Sequence, residues 1–137
     1  MKKFINYDEI KEIDDFFELL DYGSTKKLEL IRQYPYLLSF VLKVYYSSEE
    51  PLSKAVNFMI QNIIDHTFED YFQFVDFHKF KDEIDPHYIY RMLIWIGDGY
   101  LMEKIRMGKE LDIDEMLEDF HQWKDLFKAL VYKEEYL

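Results

Sequence analysis

Cysteine is absent from all 137 residues, which removes disulfide frameworks, Cys-based zinc sites and thiol nucleophiles together. Glycine and proline are scarce, at four and three, and no stretch alternates apolar and polar residues for long. A turn-rich all-β architecture therefore lacks its raw material. No apolar run is long and uncharged enough to span a bilayer. The basic start Met1-Lys2-Lys3 meets Asn6, Asp8 and Glu9 before any useful apolar segment, against a secretory signal. A cytoplasmic location and no membrane contact are expected. Basic residues are also outnumbered: 17 Lys and Arg against 28 Asp and Glu give a formal charge of −11. Such a surface repels phosphate backbones and argues against direct nucleic-acid binding. Neither a Gly-x-Ser-x-Gly elbow nor a Gly-rich phosphate loop occurs, so no enzyme and no cofactor are expected.

What remains is a chain that is 49% apolar and 19% aromatic, with twelve Phe and twelve Tyr. That is enough to fold despite the charge. The reading is all-α: a single domain over 1–137, a bundle of five or six helices. Ile10, Ile13, Phe17 and Leu20 predict one amphipathic helix from Tyr7 to Tyr22, ended by Gly23. A second, capped by Ser24 or Thr25, carries Leu28, Ile31 and Tyr34 until Pro35 breaks it. Tyr36 to Tyr46 reads as a short buried helix. Ser47-Ser48-Glu49-Glu50-Pro51 opens a long one to Phe77, followed by a polar loop, Lys79 to Glu83.

The next stretch, Asp85 to Met102, organises the rest. Asp85 can cap and Pro86 can take the first turn, and from Tyr88 to Ile96 the only charge is Arg91. A helix apolar on nearly every face has two neighbours. Tyr90, Ile94, Gly97 and Leu101 share one face, expected to meet a second subunit. Tyr88, Met92, Trp95 and Gly99 share another, expected to meet the core. Beyond Gly108, Asp112 and Glu115 have capping-box spacing. Ile113, Phe120 and Phe127 then alternate with Met116, Trp123 and Leu130 in an a/d seam suited to helix pairing. The expectation is that these last two helices form a dimeric four-helix bundle through Met116, Phe120, Trp123, Phe127 and Leu130.

Two kinds of chemistry invite consideration. Glu118 and His121 have the Glu-x-x-His spacing of carboxylate-bridged metal bundles, but only one copy exists and both fall on the outward face of the seam. Asp65, His66, Glu69 and Asp70 read as a solvated acidic face, so no metal is expected. The aromatic excess is more suggestive. Most rings fill a core, yet several with polar tips can also line a pocket for a small hydrophobic or cationic aromatic ligand. Phe40, Phe58, Met59, Tyr71, Phe74, Trp95 and Tyr100 are the candidates.

The run Lys27-Leu28-Glu29-Leu30-Ile31-Arg32-Gln33-Tyr34-Pro35-Tyr36-Leu37, then Phe40 and Tyr45-Tyr46, resembles a passage in the C-terminal domain of TetR-family transcriptional regulators. Asp85-Pro86 leading to Ile94-Trp95 and Gly97 to Gly99 is similar to that domain's penultimate helix, and Leu111 to Met116 to the start of its last. The resemblance implies a homodimer joined by the last two helices, an effector pocket, and DNA contact through an N-terminal helix-turn-helix. No such reader precedes residue 1, so the chain looks like the ligand-sensing and dimerisation part alone. The alternative is a stand-alone helical module that buries its last helices against another protein.

Overall fold

The computed structural model describes residues 6–37, 40, 54–55 and 68–137. They form the all-α bundle that the composition predicts, with no strand among the described residues. Helices α1 (Tyr7–Ile10), α2 (Phe16–Gln33), α3 (Pro86–Arg106) and α4 (Ile113–Val131) are accompanied by single 3-10 turns at Phe77–Lys79 and Glu134–Tyr136. None of the helices described is long and apolar enough to cross a membrane.

The single helix expected from Tyr7 to Tyr22 is two helices. The chain leaves α1 after Ile10 and restarts at Asp15, whose carboxylate accepts from the N–H groups of Phe17 and Glu18, both at 3.0 Å. Gly23 does not stop α2, and Ser24 and Thr25 lie in its interior rather than at a cap. The glycine serves a close approach: a Cβ there would stand 2.7 Å from the Tyr71 hydroxyl, which donates to the Leu19 carbonyl at 2.9 Å. The break at Tyr34 follows the reading, with φ −128° and ψ 77° ahead of Pro35.

Most of the segments expected as helices over 36–46 and 51–77 lies outside the described residues. The C-terminal end of the second is visible and falls short of Phe77: the helix stops at 71, and Asp76 caps a 3-10 turn that Phe77 opens. Helix α3 starts as predicted, with Asp85 accepting from the His87 N–H at 3.0 Å and Pro86 in the first turn. It closes through Gly108, whose φ of +63° is a left-handed cap. Asp112 caps α4 as its spacing predicts. Glu115 does not complete a capping box but reaches Lys104 of α3 at 3.0 Å.

The core gathers at the start of α2. Phe16 stacks on Phe72 at 4.8 Å and meets Phe17 and Phe80 edge-on, while Phe17 and Phe80 both meet Tyr132 at 5.1 Å. Much of the aromatic excess is therefore packing, worth about 3–5 kcal/mol per large ring on truncation to alanine. A lone antiparallel bridge, Phe80 to Tyr132, is flanked by Lys81 N–H to Val131 carbonyl at 2.9 Å and Lys133 N–H to Lys79 carbonyl at 2.8 Å. It pins the loop before α3 to the end of α4.

Candidate functional site

Three polar connections set how the helices can move together. At the first, the Tyr132 hydroxyl donates to Asp15 at 3.1 Å and accepts from the Phe16 N–H at 3.2 Å. Lys79 adds its ammonium to Asp14 and Asp15 at 3.3 and 3.5 Å. The buried Asp15 carboxylate is thus surrounded by donors from three segments. Burial first, and the Asp15 charge second, push the Tyr132 phenol well above its ordinary range. At the second, Asp21 of α2 meets His121 at 3.0 Å and also the Lys124 ammonium, both on α4. At the third, Arg32 pairs with Asp114. Early α2 meets late α4 and late α2 meets early α4, so the two run antiparallel, tied at both ends and the middle. His121, expected on the outward face with Glu118, instead bridges to α2. No group of side chains able to hold a metal is found among the described residues.

Against α4 lies α3, also antiparallel. Tyr100 meets Trp123 edge-on at 5.3 Å and Phe120 at 6.4 Å, and Phe120 meets Trp123 at 5.1 Å. Lys104, paired with Glu115, stands 5.2 Å over the Tyr100 ring. Met116 is buried and Phe127 packs on the core. The a/d seam therefore faces its own chain over Met116, Phe120, Trp123 and Phe127, where the reading expected a second subunit. Only its last member, Leu130, is open, and with Leu126 it forms an apolar flank, each 59% exposed.

Helix α3 likewise presents the opposite face from that expected. Tyr90 turns inward against the rings of Phe68 and Phe72, at 5.5 and 5.2 Å, and burial raises its phenol to about 12. Ile94, Gly97 and Leu101 on that side are half-buried. The outward face carries Tyr88, Trp95 and Met102, while half-buried Met92 at its margin still touches the core. Trp95 is 50% exposed, edge-on to Tyr88 at 6.0 Å and with the Arg91 guanidinium 5.4 Å from its ring centre. The sequence held the signal for this. Arg91, the one charge in the apolar stretch, lies about 40° from Trp95 around the helix and marks the solvent side.

The ligand candidates among the described residues do not converge. Phe58 and Met59 lie outside the described residues. Tyr71 is committed to Leu19 and to the space over Gly23, Phe40 and Phe74 are exposed, Trp95 faces outward, and Tyr100 sits between α3 and α4. What the structure leaves open is two apolar patches: the outer face of α3, with Tyr88, Trp95 and Met102, and the Leu126–Leu130 flank of α4. No protein-family model, curated protein or solved structure matches the chain.

Proposed function

We propose that the chain acts as the homodimerisation and effector-sensing part of a TetR-like transcriptional regulator in the cytoplasm, a part that makes no DNA contact of its own. The observation that carries this reading is the set of large apolar side chains left open on the last two long helices, where Trp95, Leu126 and Leu130 are each at least half exposed. Rings and large aliphatic side chains left uncovered on a helix face mark a site of association. Helix order and the Tyr34-Pro35 break add support.

The proposed mechanism is a population shift. A small hydrophobic or cationic aromatic effector favours one position of α2. Because Asp21, Arg32 and the Asp15–Tyr132 pair tie α2 to α4, the dimer helices would follow. Sedimentation equilibrium tests the dimer directly. The wild type should be dimeric at micromolar concentration, and the double variant Leu126→Glu/Leu130→Glu should be monomeric with unchanged helicity. A monomeric wild type of full helicity would remove the main support and favour the helical module that binds another protein.

A further inference from the structure

Helix α4 gives two of its sides to its own chain. His121 and Lys124 turn to α2, and Phe120 and Trp123 turn to α3. At about 100° per residue, the third side is a stripe from Glu115 to Leu130, all within about 60° of one line and about 22 Å long. The stripe is polarised. Its first turns carry Glu115, Glu118 and Asp119, and beyond Gln122 its last turns carry Leu126, Ala129 and Leu130. All are exposed except half-buried Asp119, and Glu115 also reaches Lys104 of α3. One end is therefore acidic and the other apolar.

That polarity specifies a complement. The apolar end needs large apolar side chains, and the acidic end, on a chain of charge −11, needs cations. The α4 of a second copy offers leucines for the first but only further carboxylates for the second. A helix of lysine- or arginine-rich and apolar halves supplies both. Its direction follows from the helix dipoles. The amino end of α4 is the positive pole, so an antiparallel partner brings its negative carboxyl end there, where its own cations are also favoured. A parallel partner would set positive pole on positive pole and crowd its cations at the wrong end. The partner helix therefore reads apolar first and basic last.

We propose that the outer side of α4 binds a basic amphipathic helix of another protein, antiparallel, with its apolar half over Leu126–Leu130 and its cations over Glu115 and Glu118. Because a second copy is held by the same leucines, this partner opens the dimer. The test uses two synthetic helical peptides of about four turns and equal composition. One has leucines in its amino-terminal half and lysines in its carboxyl-terminal half, and the other has the halves exchanged. Fluorescence anisotropy should show the first binding about tenfold tighter or more, and weakening as salt is raised. Leu126→Glu/Leu130→Glu should abolish that binding. Glu118→Lys/Asp125→Lys, on the stripe and at its edge, should weaken it about tenfold. Glu12→Lys/Glu69→Lys makes the same charge change on exposed residues elsewhere and should alter it less than about threefold. Circular dichroism on each variant separates lost binding from lost folding. Sedimentation with excess first peptide should show one chain per complex in place of dimers. Equal binding of the two peptides, or equal effects of the two charge reversals, would overturn the site in favour of bulk attraction to an acidic chain. A dimer that holds with peptide bound would overturn the shared face. A wild type that dimerises and binds neither peptide would sink this proposal and keep the homodimer, whereas a monomer that binds the first peptide does the reverse.

Discussion

Gly23 holds a position where helix propensity and packing pull in opposite directions. An alanine in the interior of α2 should stabilise the helix by about 1 kcal/mol over glycine. A methyl group 2.7 Å from the Tyr71 hydroxyl cannot be accommodated without moving that ring off the Leu19 carbonyl, and overpacking of this kind costs about 1–3 kcal/mol. The clash should win, so Gly23→Ala is expected to destabilise in urea unfolding. Tyr71→Phe removes the offending oxygen and leaves the nearest remaining ring carbon at 3.4 Å. In that background the same Gly23→Ala should turn neutral or stabilising. The sign change across the double-mutant cycle is the observable. A simple sum of the two single effects would mean that the glycine answers to something other than Tyr71.

The elements divide according to whether their boundaries are local. Asp85-Pro86, Asp112 and Tyr34-Pro35 each act through backbone groups within a few residues, and the sequence reading of all three agrees with the structure. The misreadings depend on distant partners. Ile10, Ile13, Phe17 and Leu20 keep helical spacing across the break before Asp15 because both sides pack on one core. The signal for the break was available in Asp15 and Glu18, at the same spacing as Asp112 and Glu115. Gly23 reads as a stop until Tyr71 is in place, and the inward face of α3 is fixed where Phe68 and Phe72 claim Tyr90, although Arg91 beside Trp95 already marked the solvent side. The tie between α2 and α4 was equally hidden, because Tyr132 and Asp15 sit at opposite ends of the chain. Removing the Tyr132 hydroxyl tests that tie. Tyr132→Phe leaves the buried Phe16 N–H without its acceptor and the Asp15 Oδ2 with the longer Lys79 contact alone, and should cost about 1–3 kcal/mol. It should also change the alkaline limb of the stability curve. Phenols release their protons near 10 in the unfolded chain, whereas Tyr90 holds its proton to about 12 and Tyr132 is raised as well. The stabilisation they contribute is complete below pH 10 and falls as pH rises through the folded values, because the unfolded state loses protons first. Urea midpoints between pH 9 and 12 should decline in the wild type and decline less steeply in Tyr132→Phe. Parallel slopes would show that Tyr132 is not held neutral by the fold.

At the scale of the whole molecule, the charge of −11 opposes what the apolar surface favours. Two such chains at a centre separation of about 25 Å repel by roughly 20 kcal/mol in salt-free water, by Coulomb's law at the size expected for a domain of this length. Screening over the Debye length leaves about half of that at 0.01 M salt and only a few per cent at 0.15 M. Exposed ion pairs across an interface contribute attraction of about 0–1 kcal/mol each, and salt weakens them too. The repulsion is the larger quantity by far, so the dimer should tighten as salt is raised from 0.01 to 0.15 M. That sign is opposite to the one expected for an interface assembled by charge, and it follows from an apolar contact between like-charged bodies. The same coupling should make the thermal midpoint rise with protein concentration, since association adds stability by mass action. Leu126→Glu/Leu130→Glu should abolish both dependences together. Analytical ultracentrifugation across a salt series, paired with melting at two protein concentrations, reads both. A dimer that loosens with added salt would place its driving force in ion pairs and move the interface away from the Trp95 and Leu126–Leu130 surface.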